Sequence, residues 1–253
     1  MKYTSRVPEE LIKNGHYRGR PADSGDKIIH RRIQLTRQIE GFTGKNYELV
    51  EIGCGNGASI IFLSPDMKSC LGVDIEDSHQ EEFNHLKNHY QADNCTFKLI
   101  NIEKELPDKQ FERLISFEVI EHLENESNIE RFYGLLKPGG IAAITVPNKW
   151  WIFETHGAKL PLLHWNRVPF FSWLPRPIHE RYANARIYTK RRIRKLLQKA
   201  GFQVISLKYV TAPLDVLKDS RLKRFLTKVL FNKETTGNPF LATSIFVVAV
   251  KNQ

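Results

Sequence analysis

The chain has 253 residues, of which 41% are hydrophobic, and it carries a formal net charge of +10. This length and apolar content are typical of one large α/β domain with additions, or of two small domains. Three scattered cysteines argue against a disulfide framework, and no apolar run approaches the about 20 residues of a membrane span. The polar N-terminus lacks the apolar core of a secretory signal, so we expect a cytoplasmic protein with reduced thiols.

The first half of the chain alternates between helical and strand patterns. Residues 1–24 are expected to form an irregular or partly helical arm. Residues 26–40 are expected to form a helix, because isoleucines recur there at rough helical spacing. Strands are predicted at residues 47–52, 70–74, 96–101, 113–117 and 141–146. Helices are predicted at residues 56–63, from Asp77 or Ser78 as cap to residue 89, and at 124–136, with a Pro-Gly-Gly turn at 137–140.

The C-terminal part continues the alternation. Thr189 is expected to cap a basic helix that ends at Gly201. Two strands follow at residues 202–209 and 242–250, with a helical link at 214–231 between them. Strands that alternate with helices predict a doubly wound, mostly parallel α/β sheet.

Three alternating glycines follow the first predicted strand, in the stretch Glu51-Ile52-Gly53-Cys54-Gly55-Asn56-Gly57. Glycine has no Cβ, so such a turn lets a nucleotide-like ligand approach the backbone closely. Gly53, Gly55 and Ala58 also fit the dinucleotide-binding fingerprint, and Asp74 lies where either kind of site places a ribose-binding acid. The glycines alone therefore leave two cofactor classes open.

Five stretches in register resemble the motifs of class I S-adenosylmethionine-dependent methyltransferases, in the branch of the type 11 and ubiquinone-pathway O-methyltransferases. They are the glycine stretch, Leu71-Gly72-Val73-Asp74-Ile75, Asn101-Ile102-Glu103, Phe117-Glu118-Val119-Ile120-Glu121-His122, and Leu135-Leu136-Lys137-Pro138-Gly139-Gly140. The resemblance implies a Rossmann-like sheet of seven strands whose seventh strand is antiparallel. It also implies S-adenosylmethionine as cofactor, bound by Glu51, Gly53, Cys54, Gly55, Asp74, Ile75, Asn101, Ile102, Phe117 and Glu118.

The resemblance assigns a role to several of these residues. Asp74 would accept hydrogen bonds from both ribose hydroxyls. Asn101 stands where the family usually has Asp and would contact adenine; its alternative use is a turn at the strand end. Glu51 would face the amino-acid part of the cofactor, where a carboxylate suits its positive charges.

A base is needed if the methyl acceptor carries a proton of high pKa. His122 is the predicted catalytic residue because it lies just beyond the fourth strand, and His156, His164 and His179 are further candidates. Glu118, Glu121 and His122, completed by His156 or His164, could alternatively hold a divalent ion, as in some ubiquinone-pathway and small-RNA 3′-end methyltransferases that resemble this pattern. We predict no metal.

Residues 149–188 are expected to form an aromatic, basic insertion after strand five, within a single methyltransferase domain that spans residues 1–253 and includes an N-terminal arm and helix at 1–40. The insertion contains all four tryptophans. It could be a lid over an apolar or ring-bearing acceptor, a patch that contacts anionic lipid, or a small satellite core.

The predicted function is methyl transfer to an oxygen of a small hydrophobic, aromatic or glycolipid-like acceptor, with peripheral membrane contact as an option. The excess of basic residues also permits nucleic acid, which ranks lower because no RNA-binding module is recognised. Alternatives are a metal-assisted RNA 2′-O-methyltransferase and a non-catalytic S-adenosylmethionine-binding protein. The oligomeric state is open.

Overall fold

The structure is a computed structural model that describes residues 25–154, 156, 169–214 and 220–252. It also gives the backbone of two short antiparallel strand pairs, Ile12–Lys13 with His16–Tyr17 and Ala158–Leu160 with Leu163–Trp165. The rest of the predicted N-terminal arm lies outside the described residues.

Seven long strands form the central sheet. They are β1 (Gly44–Ile52), β2 (Met67–Asp74), β3 (Cys95–Leu99), β4 (Phe111–Phe117), β5 (Leu136–Pro147), β6 (Gln203–Thr211) and β7 (Ala242–Val250). A two-residue strand, Thr235–Thr236, adds an eighth at the outer edge.

The strand order is β3-β2-β1-β4-β5-β7-β6, followed by the two-residue edge strand. Strands β1 to β5 pair in parallel. β7 runs antiparallel to both of its neighbours, β5 and β6. The predicted doubly wound, mostly parallel sheet with an antiparallel seventh strand is confirmed. Because β1 and β4 are adjacent at the point where the chain changes direction, their carboxyl ends open a crevice there.

Seven α-helices are described: α1 (Lys27–Arg37), α2 (Ala58–Leu63), α3 (His79–His89), α4 (Ile129–Leu135), α5 (Arg176–Tyr182), α6 (Lys190–Lys199) and α7 (Arg221–Val229). Thr189 caps α6 as predicted, because its hydroxyl accepts from the Arg192 N–H at 3.2 Å. Among the described residues, no helix is long and apolar enough to cross a membrane.

Two apolar cores lie on opposite faces of the sheet. Neighbouring residues of β1 point to opposite sides, with Val50 in one core and Leu49 in the other. β4 does the same with Leu114 and Ile115. This alternation follows from the pleat of a strand, and helices on both faces explain why apolar residues of the central strands are buried on both sides.

The structure corrects two local details. α3 begins at His79, directly after the predicted caps Asp77 and Ser78, but the Ser78 side chain does not cap it; its hydroxyl instead donates to the Glu76 carboxylate at 2.7 Å. Residues 137–140 form a bulge at the start of β5 rather than a separate turn, because Phe111 pairs with Leu136 while Arg113 pairs with Ile141. The left-handed Gly139, at φ 76°, allows the extra residues to leave the ladder.

Gly57 begins α2 at a position where the backbone has φ 77° and α3 passes close by. A Cβ at Gly57 would lie 2.2 Å from Cδ2 of the buried Phe83 ring. Gly139 has nearly the same φ, but open space surrounds it within 4 Å.

We therefore expect Gly57→Ala to lower the free energy of unfolding by about 2–4 kcal/mol, the sum of backbone strain and overpacking. Gly139→Ala serves as the matched control and should cost only the left-handed strain of about 1–2 kcal/mol. Urea denaturation measures both, and equal losses in the two variants would contradict the close packing of Phe83.

Candidate active site

The glycine turn after β1 is held by backbone bonds and by close packing. The N–H groups of Gly53 and Cys54 both donate to the Val73 carbonyl of β2, at 2.8 and 3.1 Å. Gly53 has φ 69°, and a Cβ there would lie 2.4 Å from Cγ2 of Val119. Glycine is required at this position both for its left-handed backbone and because the loop after β4 packs directly against it.

Asp74 ends β2, and its carboxylate bonds to two backbone groups. Oδ2 accepts from the Gly55 N–H at 2.8 Å, and Oδ1 accepts from the Glu76 N–H at 3.0 Å. His79 lies 3.4 Å from Oδ1; burial alone would lower the pKa of His79, but the Asp74 carboxylate raises it overall. Asp74 therefore orders the glycine turn and carries a negative charge to the edge of the crevice.

An open cleft lies beside this turn. Its wall is largely apolar, formed by Ile52, Val73, Ile75, Ile100, Ile102, Val119 and Leu123, and its polar lining comes from Asp74, Asn101, Glu103 and His122. Five of the predicted cofactor-binding residues line it together: Gly53, Asp74, Ile75, Asn101 and Ile102.

Asn101 makes the turn that was one of its two predicted uses. Its side-chain oxygen accepts from the Glu103 N–H at 2.9 Å. An amide oxygen has two lone pairs and the amide nitrogen can donate, so this turn leaves the residue able to contact a ligand in the cleft.

Glu51 and Cys54 lie behind the turn, at 3% and 7% exposure. The Glu51 carboxylate accepts from the Ile60 N–H of α2 at 3.1 Å, and burial raises its pKa well above the usual range. Burial likewise raises the pKa of the Cys54 thiol, which disfavours the reactive thiolate. In this structure, the Glu51 carboxylate therefore forms a hydrogen bond with the first turn of α2.

Glu118 follows β4 in a left-handed backbone conformation, with φ 60°. Its carboxylate lies 3.0 Å from the Arg32 guanidinium of α1, which in turn lies 5.7 Å from the centre of the Phe117 ring. Arg32 is a residue that the sequence analysis missed. The sequence did contain one signal: Arg32 lies on the same side of its helix as the apolar Ile29 and Ile33. A charge on that side becomes buried and needs a partner of opposite charge.

Glu121, His122 and His156 form a second cluster at the mouth of the cleft. His156 Nε2 lies 3.5 Å from a carboxylate oxygen of the fully buried Glu121, and the two imidazole rings are 5.2 Å apart. Burial raises the pKa of Glu121 well above its usual range and lowers that of His122 well below. An imidazole that stays neutral can accept a proton, and its lowered pKa makes it a weaker base than a free imidazole.

The same three groups could share a cation, since one donor atom from each lies within 4.8 Å of the others. Glu118, the further ligand expected for such a site, is paired with Arg32 instead. His164 lies in a part of the chain whose side chains are not described. His179, another predicted candidate, bonds the buried Glu154 at 2.6 Å and belongs to the framework of the insertion.

Arg186 joins the insertion to the loop after β4. This buried guanidinium donates to the carbonyls of Glu121, Leu123 and Glu124. Nearby, the Asn184 amide donates to the His156 carbonyl at 2.9 Å. These bonds position His156 against His122, and the sequence provides no local pattern that would have identified them.

A family model described as a methyltransferase domain matches residues 3–207 of the chain. A Mycolicibacterium smegmatis protein named as a probable S-adenosylmethionine-dependent methyltransferase is 26% identical over 199 residues, covering 78% of this chain and 68% of the relative. The ubiquinone biosynthesis O-methyltransferase of Rickettsia felis is 29% identical over 133 residues, covering 48% of this chain and 53% of the relative.

Solved structures share the fold. An S-adenosylmethionine-dependent methyltransferase from Mesorhizobium loti aligns with a TM-score of 0.60 and 14% identity, covering 87% of this chain and 98% of the other. Magnesium protoporphyrin IX methyltransferase from Synechocystis, crystallised with bound S-adenosylmethionine, aligns with a TM-score of 0.54 and 14% identity, covering 90% and 80%. Together with the family match, these findings decide between the two cofactor classes that the glycine turn left open. The chain belongs to the methyltransferase domain family and is an S-adenosylmethionine-dependent methyltransferase.

Proposed function

We propose that S-adenosylmethionine binds in the cleft beside the glycine turn. The chemistry of the lining fits an adenosine: a largely apolar wall is bounded by the Asp74 carboxylate and the Asn101 amide. Asp74 would bond the ribose hydroxyls and Asn101 the adenine, while Ile75 and Ile102 would pack against the base. When bound, this cofactor supplies a methyl group activated on a sulfonium.

We propose that the acceptor is a small hydrophobic, aromatic or glycolipid-like molecule methylated at a hydroxyl oxygen. The observation that carries this proposal is the position of His122, whose ring is part of the cleft lining and also packs against His156 of the insertion. A hydroxyl placed between the cleft and the insertion would reach this imidazole, which would take the proton as the oxygen is methylated. The Rickettsia relative, named as an O-methyltransferase, supports oxygen as the target.

The composition of the insertion favours an apolar acceptor, because it contains all four tryptophans. Some of its rings belong to small cores: Phe171 lies 5.2 Å from the buried His179 ring, and Trp151 lies 5.9 Å from Phe153.

A second candidate function is metal-assisted methylation of an RNA 2′-hydroxyl, favoured by the closeness of Glu121, His122 and His156. The two candidates separate in one screen that measures S-adenosylhomocysteine formed with phenolic and quinol acceptors or with short RNA, each with EDTA or with Mn²⁺. Turnover of phenols in EDTA supports the first function. Turnover of RNA only with Mn²⁺ supports the second, and cofactor binding without turnover on any acceptor supports a non-catalytic protein.

We expect His122→Gln to lower kcat by about 100-fold or more on the acceptor found in that screen, because the amide cannot take the hydroxyl proton. His85→Gln, an exposed position on α3, is the matched control and should keep full turnover. Stopped assays of S-adenosylhomocysteine with saturating cofactor measure the effect. Unchanged kcat in the His122 variant would show that this imidazole is not the base.

We expect Asp74→Asn to raise the Kd of S-adenosylhomocysteine by about 10- to 100-fold, because a neutral amide forms weaker hydrogen bonds to hydroxyls and to the Gly55 N–H. Asp93→Asn, at an exposed turn, is the control and should bind normally. Calorimetric titration gives both values. Equal affinity in the two variants would place the cofactor elsewhere.

A further inference from the structure

Helix α7 presents an apolar face that no other described segment of the chain covers. None of its residues is buried, and Leu222, Phe225 and Val229 are 66%, 61% and 53% exposed. Their spacing places them on one side of the helix. Only the edge of this face is used internally, where Leu226 packs against the small core formed by Trp151, Ala212, Leu214 and Phe231.

An exposed aromatic cluster adjoins this helix. Phe240, Trp173 and Phe170 are 48%, 38% and 52% exposed, and their rings contact in sequence at 5.5 and 4.9 Å. Leu241, the neighbour of Phe240, packs in the same small core as Leu226. The aliphatic face of α7 and the aromatic cluster are therefore joined through one core. Large aromatic rings beside aliphatic side chains are typical of membrane-interface surfaces.

Basic residues dominate the charge along α7, although Asp219 and Glu234 flank the segment. Between positions 220 and 233 the sequence has five basic and no acidic residues: Arg221, Lys223, Arg224, Lys228 and Lys233. On a helical projection, Lys223 borders the apolar face on one side, and Arg221 and Lys228 border it on the other. An amphipathic helix with this arrangement lies in the plane of an interface, with its apolar side in the acyl boundary and its cations among anionic headgroups.

We propose that α7, together with Phe170, Trp173 and Phe240, docks the protein on the surface of an anionic lipid membrane. A second copy of the chain fits this surface less well, because a two-fold contact would set the same basic rim against itself. RNA could stack on the exposed rings, but it would leave the aliphatic side chains of Leu222 and Val229 in water, whereas a lipid surface buries them. The inference does not depend on the acceptor proposed above. The sequence analysis expected a lipid contact in the insertion alone. The proposed surface adds α7, which lies between β6 and β7.

The test is flotation of the full-length protein with vesicles of phosphatidylcholine alone and of phosphatidylcholine with about 30% phosphatidylserine. We expect binding to the anionic vesicles only, weakened between about 0.15 and about 0.5 M salt. The variant L222S/F225S should lower the vesicle affinity by about tenfold or more, because two apolar side chains no longer enter the interface. Ile205→Ser removes an equally exposed apolar residue on β6 and should bind as the wild type does.

Circular dichroism and the affinity for S-adenosylhomocysteine should be the same in all three proteins, which separates lost docking from lost folding. Absence of wild-type binding to anionic vesicles would overturn the proposal. So would equal losses in L222S/F225S and Ile205→Ser. A dimer in light scattering that L222S/F225S dissociates, without any vesicle binding, would assign the surface to self-association instead.

Discussion

The architecture of the site depends on the contact between Asp74 and Gly55. The carboxylate at the end of β2 accepts the Gly55 N–H at 2.8 Å, and the Val73 carbonyl one residue earlier accepts from Gly53 and Cys54. The second strand thus fixes the turn that follows the first strand. The glycines can adopt the left-handed backbone conformations that this turn requires. Hydrogen bonds to the neighbouring strand then select one conformation of the turn. A negative charge is held at the cleft as a consequence of the same contact.

The other half of the site is positioned by buried cations from distant parts of the chain. Arg32 of α1 reaches Glu118, and Arg186 near the end of the insertion bonds the carbonyls after β4. A guanidinium is costly to bury unless its donors find acceptors, so each of these residues restricts where its segment can lie. The insertion therefore reaches the cluster beside the cleft, because its His156 ring packs against His122. It also has small apolar clusters of its own, as expected from one of the three interpretations that its composition permits.

Helix α7 differs from the other helices in what its apolar side contacts. In α6, Ile193 and Leu197 are buried against the sheet, whereas the corresponding face of α7 is largely exposed. Burial of an apolar side chain stabilises a fold by about 1.5–3 kcal/mol. The exposed apolar residues of α7 contribute little of this stabilisation, and an exposed apolar patch is typical of a binding surface. A surface of this kind beside the insertion would let the enzyme bind a membrane and reach an acceptor that resides in lipid.

Short-range patterns determined much of this protein. The alternation of apolar runs and glycine turns predicted the sheet and the helices, because strand ends and glycine conformations are local properties. The family resemblance named five of the cofactor-binding residues that line the cleft. The sequence could not locate Arg32 and Arg186, which act at residues 86 and at least 62 positions away. Nor could it show that residues 137–140 form a bulge, or that the apolar face of α7 stays exposed. Those features depend on which segments meet in space, and only the tertiary structure decides the packing and burial that result.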